Sequence, residues 1–134
     1  MLKKIIIIVL VVVLIAGGVA YYLLTKDKVV DKSFNYDPGE YFVTDIQGSG
    51  SLLKTDIILH MHDSDNLEKL TENNHRIRNT VIFILRTKNE EELKDGKIQQ
   101  ALSKELLSAL NKEFKDDYDT EQFLGIYFNE FVIQ

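Results

Sequence analysis

No cysteine and no tryptophan occur in the 134 residues, and Pro38 is the single proline. Without cysteine there is no disulfide to staple a small domain, no thiolate nucleophile and no residue to carry a lipoprotein-type anchor. Positive charge is also scarce, and unevenly so. Residues 1–32 carry five lysines against two aspartates, net +3, whereas residues 33–134 carry 11 Lys and Arg against 19 Asp and Glu, net −8. A domain that acidic does not seek nucleic acid or anionic lipid, and association with a partner or with itself is the better reading. Catalytic patterns are missing too. Ser49, Ser51, Ser64, Ser103 and Ser108 lie in no nucleophile-elbow or partner motif. The glycine-bearing stretch Gln47-Gly48-Ser49-Gly50-Ser51 lacks the Gly-Lys-Ser/Thr ending of a phosphate loop and reads as a plain turn. The carboxylates fall at capping and surface positions. These absences point to a binding or structural module rather than an enzyme, with no cofactor.

Long apolar runs, by contrast, are present. Ile5 to Leu24 reads IIIIVLVVVLIAGGVAYYLL, with 14 of its 20 positions Ile, Val or Leu and no charge, amide or proline. At about 1.5 Å per residue a helix of this length spans roughly 30 Å, the hydrocarbon thickness of a bilayer. Ile5, Leu10 and Leu14 are expected to face lipid, and Leu24 to end the apolar stretch. Tyr21 and Tyr22 fit an interfacial aromatic anchor. A secretory signal is the alternative, since Lys3 and Lys4 make a basic start and Gly18-Val19-Ala20 is a passable cleavage site. The run continues past that site to Leu24, which favours a retained anchor. Lysines flank both ends, so local charge hardly orients the helix. A four-residue tail with a translocated domain is the commoner arrangement, N-terminus inside. The organisation expected is a tail (1–4), a transmembrane helix (5–24), a linker (25–40) whose Lys26 to Ser33 part prolongs the helix, and one domain (41–134). The 102 residues from Ser33 to Gln134 suffice for one small core.

Along the domain, Asp37-Pro38-Gly39 predicts a turn with Gly39 at positive φ. Tyr41–Ile46 reads as a short strand. Leu53–His62 alternates, with Leu53, Thr55, Ile57, Leu59 and Met61 on a packed face and Lys54, Asp56, Ile58, His60 and His62 on a wet one. His60 and His62, with Asp63 and His75 nearby, are weak metal candidates that an exposed strand face explains as well. Asp63-Ser64-Asp65-Asn66 lacks the glycine and closing glutamate of a calcium loop and reads as a helix cap. Asn66–Arg78 reads as a helix. Thr80–Arg86 is apolar on both faces, which predicts the covered, central strand of the sheet. Thr87 and Glu90 predict a capping box opening a short helix that Gly96 ends. Lys97–Phe114 is amphipathic, with Ile98, Ala101, Leu102, Leu106, Ala109, Leu110 and Phe114 inward. Gln122–Ile133 closes the chain as an aromatic-rich strand. The expected fold is α+β, with amphipathic helices on one face of a small mixed sheet.

The closing Ile126-Tyr127-Phe128-x-x-Phe131-Val132-Ile133-Gln134 resembles the carboxy-terminal signature of FliL, the flagellar basal-body-associated membrane protein. Arg76-Ile77-Arg78-Asn79-Thr80-Val81-Ile82 resembles the segment where that family's first helix passes into its central strand, with Asn79 where aspartate is common. Leu93-x-x-Gly96-Lys97 and Asn111 are similar as well. Arg78, Gly96, Tyr127, Phe128, Phe131 and Gln134 are thus family-motif positions, and the two aromatics Tyr127 and Phe128 are expected to fill the core. The resemblance implies a single-pass inner-membrane protein with its N-terminus cytoplasmic and a stomatin/prohibitin (SPFH)-like outer domain. It implies association with the flagellar stator as a homo-oligomeric ring around the ion-channel and peptidoglycan-binding subunits, supporting torque, swimming or swarming, and chemotaxis. It implies no catalytic residue. Another membrane-anchored scaffold or envelope assembly factor is the alternative.

Overall fold

The structure is a computed structural model that describes residues 1–26 and 30–134. It divides into two units, Met1–Val30 and Asp31–Gln134. In the first, the apolar stretch forms a single 24-residue helix, α1 (Leu2–Thr25), with no buried side chain. Every internal backbone group is bonded within the segment, which is what β-branched Ile and Val need to remain helical in an apolar surrounding. The helix stops at Thr25, where Lys26 takes an extended ψ of 112°. The prolongation expected over Lys26 to Ser33 lies partly outside the described residues.

The second unit runs β1 (Phe34–Tyr36), β2 (Phe42–Asp45), β3 (Leu52–Met61), a 3₁₀ turn (Ser64–Asn66), α2 (Leu67–Glu72), α3 (Asn74–Leu85), α4 (Glu90–Lys94), α5 (Ile98–Glu113) and β4 (Phe123–Ile133). β3 is the centre of the sheet. β1 and β2 share one of its edges and β4 takes the other, all antiparallel. The α+β class is as expected, but the sheet is antiparallel rather than mixed. The long helices α3 and α5 carry the chain away and back again, so it re-enters beside the end of β3 it left, with Phe123 opposite Met61. A single crossover would have made the last pair parallel.

Alternation in β3 holds along its length. Leu53, Thr55, Ile57, Leu59 and Met61 are all fully buried. They pack with Leu70, Ile77, Val81, Leu102, Leu106 and Leu110 from the helices in one core, and each such aliphatic side chain is worth about 1.5–3 kcal/mol on burial. Thr55 is tolerated because its hydroxyl donates to the Glu130 carbonyl at 2.6 Å.

Thr80–Arg86 is not a strand. It continues α3, which buries Ile77, Val81, Ile84 and Leu85 and leaves Phe83 outside. That spacing of four, seven and eight is one helical face. In an unbroken apolar run, periodicity does not tell strand from buried helix, and here tertiary packing overrides the β-propensity of Val and Ile. α2 and α3 are separated at Asn73, whose amide donates to the Lys69 carbonyl.

Smaller expectations shift as well. Phe34–Tyr36, placed in the linker, pairs with Tyr36↔Leu59 and Phe34↔Met61 as part of the sheet. The capping box forms two residues later than read, with Asn89 bonding the Glu92 amide and Glu92 returning to the Asn89 amide. Asn89 wins over Thr87 because the Thr87 hydroxyl is spent on the Ile84 carbonyl at 2.6 Å. Asp95 ends α4 in an extended conformation and Gly96 has no positive φ, so no left-handed glycine cap is used there. Gly39, at φ +114°, is the positive-φ turn residue expected. Ala101 is exposed, while Leu102, Leu106, Leu110 and Phe114 carry the buried face of α5.

Candidate interaction surface

Arg78 joins the linker region to the helical layer. One turn apart on α3, Asn74 and Arg78 reach the same loop. The Asn74 amide donates to the Pro38 carbonyl (2.8 Å) and its oxygen accepts from the Tyr36 hydroxyl (2.9 Å). Arg78 donates to the carbonyls of Pro38, Glu40 and Tyr41 at 3.3, 2.9 and 3.4 Å. Its guanidinium lies 4.2 Å over the Phe42 ring. A charged, planar donor set with an apolar face suits such a site, and lysine has neither.

Arg76 makes the corresponding tie at the far end of the helical layer. It bonds the Glu113 carboxylate (3.1 Å), the Glu113 carbonyl (2.9 Å) and Asp117 (3.1 Å), with its guanidinium 4.3 Å over Phe114. The hydrogen bond from Arg76 holds the Asp117 carboxyl below its ordinary range, opposed by desolvation and aided by the Arg76 and Lys69 charges. Asn111 clips the start of β4 by donating to the Phe123 carbonyl and accepting from its amide.

Among the described residues of this unit, none forms a second layer over the sheet face turned away from the helices. Register places Lys54 beside Val132, Asp56 beside Glu130, Ile58 beside Tyr127 and His60 beside Gly125, with Val43 and Tyr41 from the β2 side. Tyr127 is 54% exposed, and Tyr41, Val43 and Val132 are exposed too. Asp56 and Glu130 are like charges directly opposite one another, an arrangement that costs stability in a sheet. Lys54 is held over the Tyr41 ring at 4.1 Å and bonds neither. Glu130 beside the Tyr41 hydroxyl pushes that phenol up.

The helical layer has its own uncovered feature. Phe83 projects from α3 at 72% exposure. Beside it lies a cleft of about 350 Å³ lined by Gln47, Asn79, Ile82, Phe83, Arg86 and Thr87. Arg86 makes no ion pair among the described residues.

Of the motif positions, Phe128 and Phe131 meet edge-on at 5.8 Å and pack against the core. Tyr127 does not fill the core, contrary to expectation: two bulges in the β3–β4 ladder shift the alternation, leaving Ile126 and Phe128 inward and Tyr127 outward. Gln134 exchanges backbone bonds with Leu52 at 2.7 and 2.8 Å. Gly96 is exposed, and a Cβ there would meet nothing within 4 Å. Ile5, Leu10, Leu14, Tyr21, Tyr22 and Leu24 are exposed along α1. His60 Nδ1 lies 3.0 Å from Asn35 Oδ1, and His62 is exposed beyond the end of β3. No group of three or more His, Cys, Asp or Glu side chains that could hold a metal comes together among the described residues. What the geometry offers is therefore surface: an open sheet face and an aromatic ridge on α3.

Residues 36–134 match the family model described as flagellar basal body-associated protein FliL. The chain belongs to the FliL family. It is accordingly a flagellar basal-body-associated protein, from a structural or accessory family rather than one known for catalysis. No match was found among curated proteins. The matched span begins at the last residue of β1 and runs through the rest of the sheet-and-helix unit, so Arg78, the β3–β4 ladder and the open sheet face all lie within the family region. α1, which precedes it, is the one described helix long and apolar enough to cross a membrane.

Proposed function

We propose that this FliL protein is a single-pass inner-membrane protein that assembles around the flagellar stator and stabilises it, supporting torque, swimming or swarming, and chemotaxis. Family membership over residues 36–134, joined to a preceding helix with no buried side chain, carries this reading. α1 spans the bilayer with its N-terminus cytoplasmic, residues 5–24 in hydrocarbon, and Tyr21 and Tyr22 at the outer interface. The outer domain has the stomatin/SPFH-like plan of helices on one face of a small sheet. Its start belongs at Phe34 rather than Tyr41, because β1 is paired within the sheet.

Tethering every copy to one membrane raises the local concentration, so weak lateral contacts suffice to close a ring. A ring that binds the channel-open stator better than the plugged one shifts the population without touching ion chemistry. Inverting a strongly plugged equilibrium takes about 5.5 kcal/mol of differential binding, a sum that many weak contacts supply together. Deleting the chain and measuring single-motor speed under increasing viscous load tests the proposal. Speed is expected to fall at high load first. Unchanged torque at all loads overturns it.

A further inference from the structure

We propose that the cleft beside Phe83 docks a segment of a partner protein in which a carboxylate adjoins a bulky apolar side chain. The apolar group settles on Ile82 and Phe83, and the carboxylate meets Arg86. The site rests on α3 and the loops beside it, and holds whichever machine the chain serves.

The lining decides the chemistry. Of its six residues, Ile82 and Phe83 are apolar, Gln47, Asn79 and Thr87 are polar and neutral, and Arg86 alone is charged. On a domain of net −8, this spot holds a guanidinium and no carboxylate. The chain has three arginines. Arg76 is spent on Glu113 and Asp117, and Arg78 on the carbonyls of Pro38, Glu40 and Tyr41. Arg86 makes no ion pair, and neither it nor the side-chain amides of Gln47 and Asn79 hydrogen-bonds within the described residues. Three side chains with free N–H donors therefore surround an apolar floor. They ask for an acceptor that carries negative charge.

Size and setting favour a protein segment. The cleft holds about 350 Å³, room for one bulky side chain and a neighbouring carboxylate. Its two walls are held at a fixed spacing. Ile77, Val81, Ile84 and Leu85 bury the inner side of α3, and the Gln47 amide donates to the Lys88 carbonyl at 3.1 Å. Such a preformed site loses little freedom on binding. Arginine beside an exposed aromatic is also the composition of an interface anchor. A lipid headgroup suits it less well. Its phosphate calls for several cations, and the acidic domain is repelled by an anionic membrane surface. A lone carboxylate on an otherwise neutral or basic segment meets no such repulsion.

The test uses the full chain in nanodiscs and three synthetic probes. Each is a biotinylated benzophenone peptide, with Leu-Glu-Leu, Leu-Gln-Leu or Leu-Lys-Leu at its centre. The Leu-Glu-Leu probe is expected to label residues 79–87 with about tenfold higher yield than the other two. Arg86→Gln should abolish that preference, and Arg86→Glu should transfer it to Leu-Lys-Leu. Phe83→Ala should lower labelling by every probe. Equal labelling by the three probes, an unchanged preference in Arg86→Glu, or adducts mapped outside that segment overturn the proposal. In cells, benzoylphenylalanine in place of Phe83 should join the chain to a protein of different mass, the adducted peptide carrying an acidic residue beside a bulky apolar one. An adduct to phospholipid, or to a second copy of the chain, overturns it.

Discussion

Arg78 illustrates how one side chain can hold a linker to a domain. Its three carbonyl acceptors sit in a loop with no hydrogen-bonded strand partner of its own, and the same guanidinium covers Phe42. Arg78→Ala is expected to cost about 1.5–3 kcal/mol by chemical denaturation, with Arg78→Lys recovering only part. Phe83 is the contrast. Nothing in its own domain rests on it, so Phe83→Ala should stay within about 0.5 kcal/mol of wild type, whereas Ile57→Ala should lose about 2–5 kcal/mol. Asp117 supplies the pH dependence. Its folded carboxyl is lowered by Arg76, so its contribution is fully present above the unfolded value near 3.9 and is lost as pH falls through the lower folded value. The melting-temperature difference between wild type and Asp117→Asn should therefore be constant from neutral pH down to about 5 and vanish in stronger acid. Much of this residue-scale detail was hidden in the sequence. Arg76 and Arg78 were visible as motif residues, but their acceptors are carbonyls and carboxylates about 40 positions away. The placement of Asp56 against Glu130 needs the β3–β4 register, bulge included.

At the scale of elements, β3 was legible because one face is buried and the other is not, which writes a period of two into the residues. α5 was legible for the same reason at a period of 3.6. Thr80–Arg86 was not. With Val, Ile, Phe, Ile and Leu in succession it carries no period at all, and only the flanking helix, packed through Ile77, decides its conformation. A serine scan discriminates the two assignments. A strand covered on both faces would fail at every position. Serine scanning across 81–85 should spare Phe83 alone and be least tolerated at Val81, Ile84 and Leu85, a helical spacing. Tyr127 and Phe128 are consecutive in β4, so a strand cannot send both to the core, and the two bulges decide that Phe128 is the one turned inward.

For the whole molecule, charge and tether act together. Residues 33–134 carry net −8, so neighbouring domains repel at long range and salt screens that repulsion. If copies associate in membranes, the yield of crosslinked oligomers should rise between about 10 mM and 150 mM salt, over which the screening length falls from about 30 Å to 8 Å. A yield that falls steadily across that range would mean that attractive charge pairs between copies outweigh the net repulsion. Membership of the FliL family accounts for where such a chain works. The uncovered sheet face and the Phe83 ridge are where it has surface left to offer.

The order of the strands also bears on how the protein is made. β3 finds its principal partner in β4, with Met61 against Phe123 and Leu53 against Ile133. The middle of the sheet is therefore synthesised long before the strand that seals it, and its apolar face waits through the emergence of every helix. Such distant pairing slows folding and lengthens the exposure of sticky intermediates. The domain can close only when its last strand has been made, which makes late nonsense mutations as damaging as early ones.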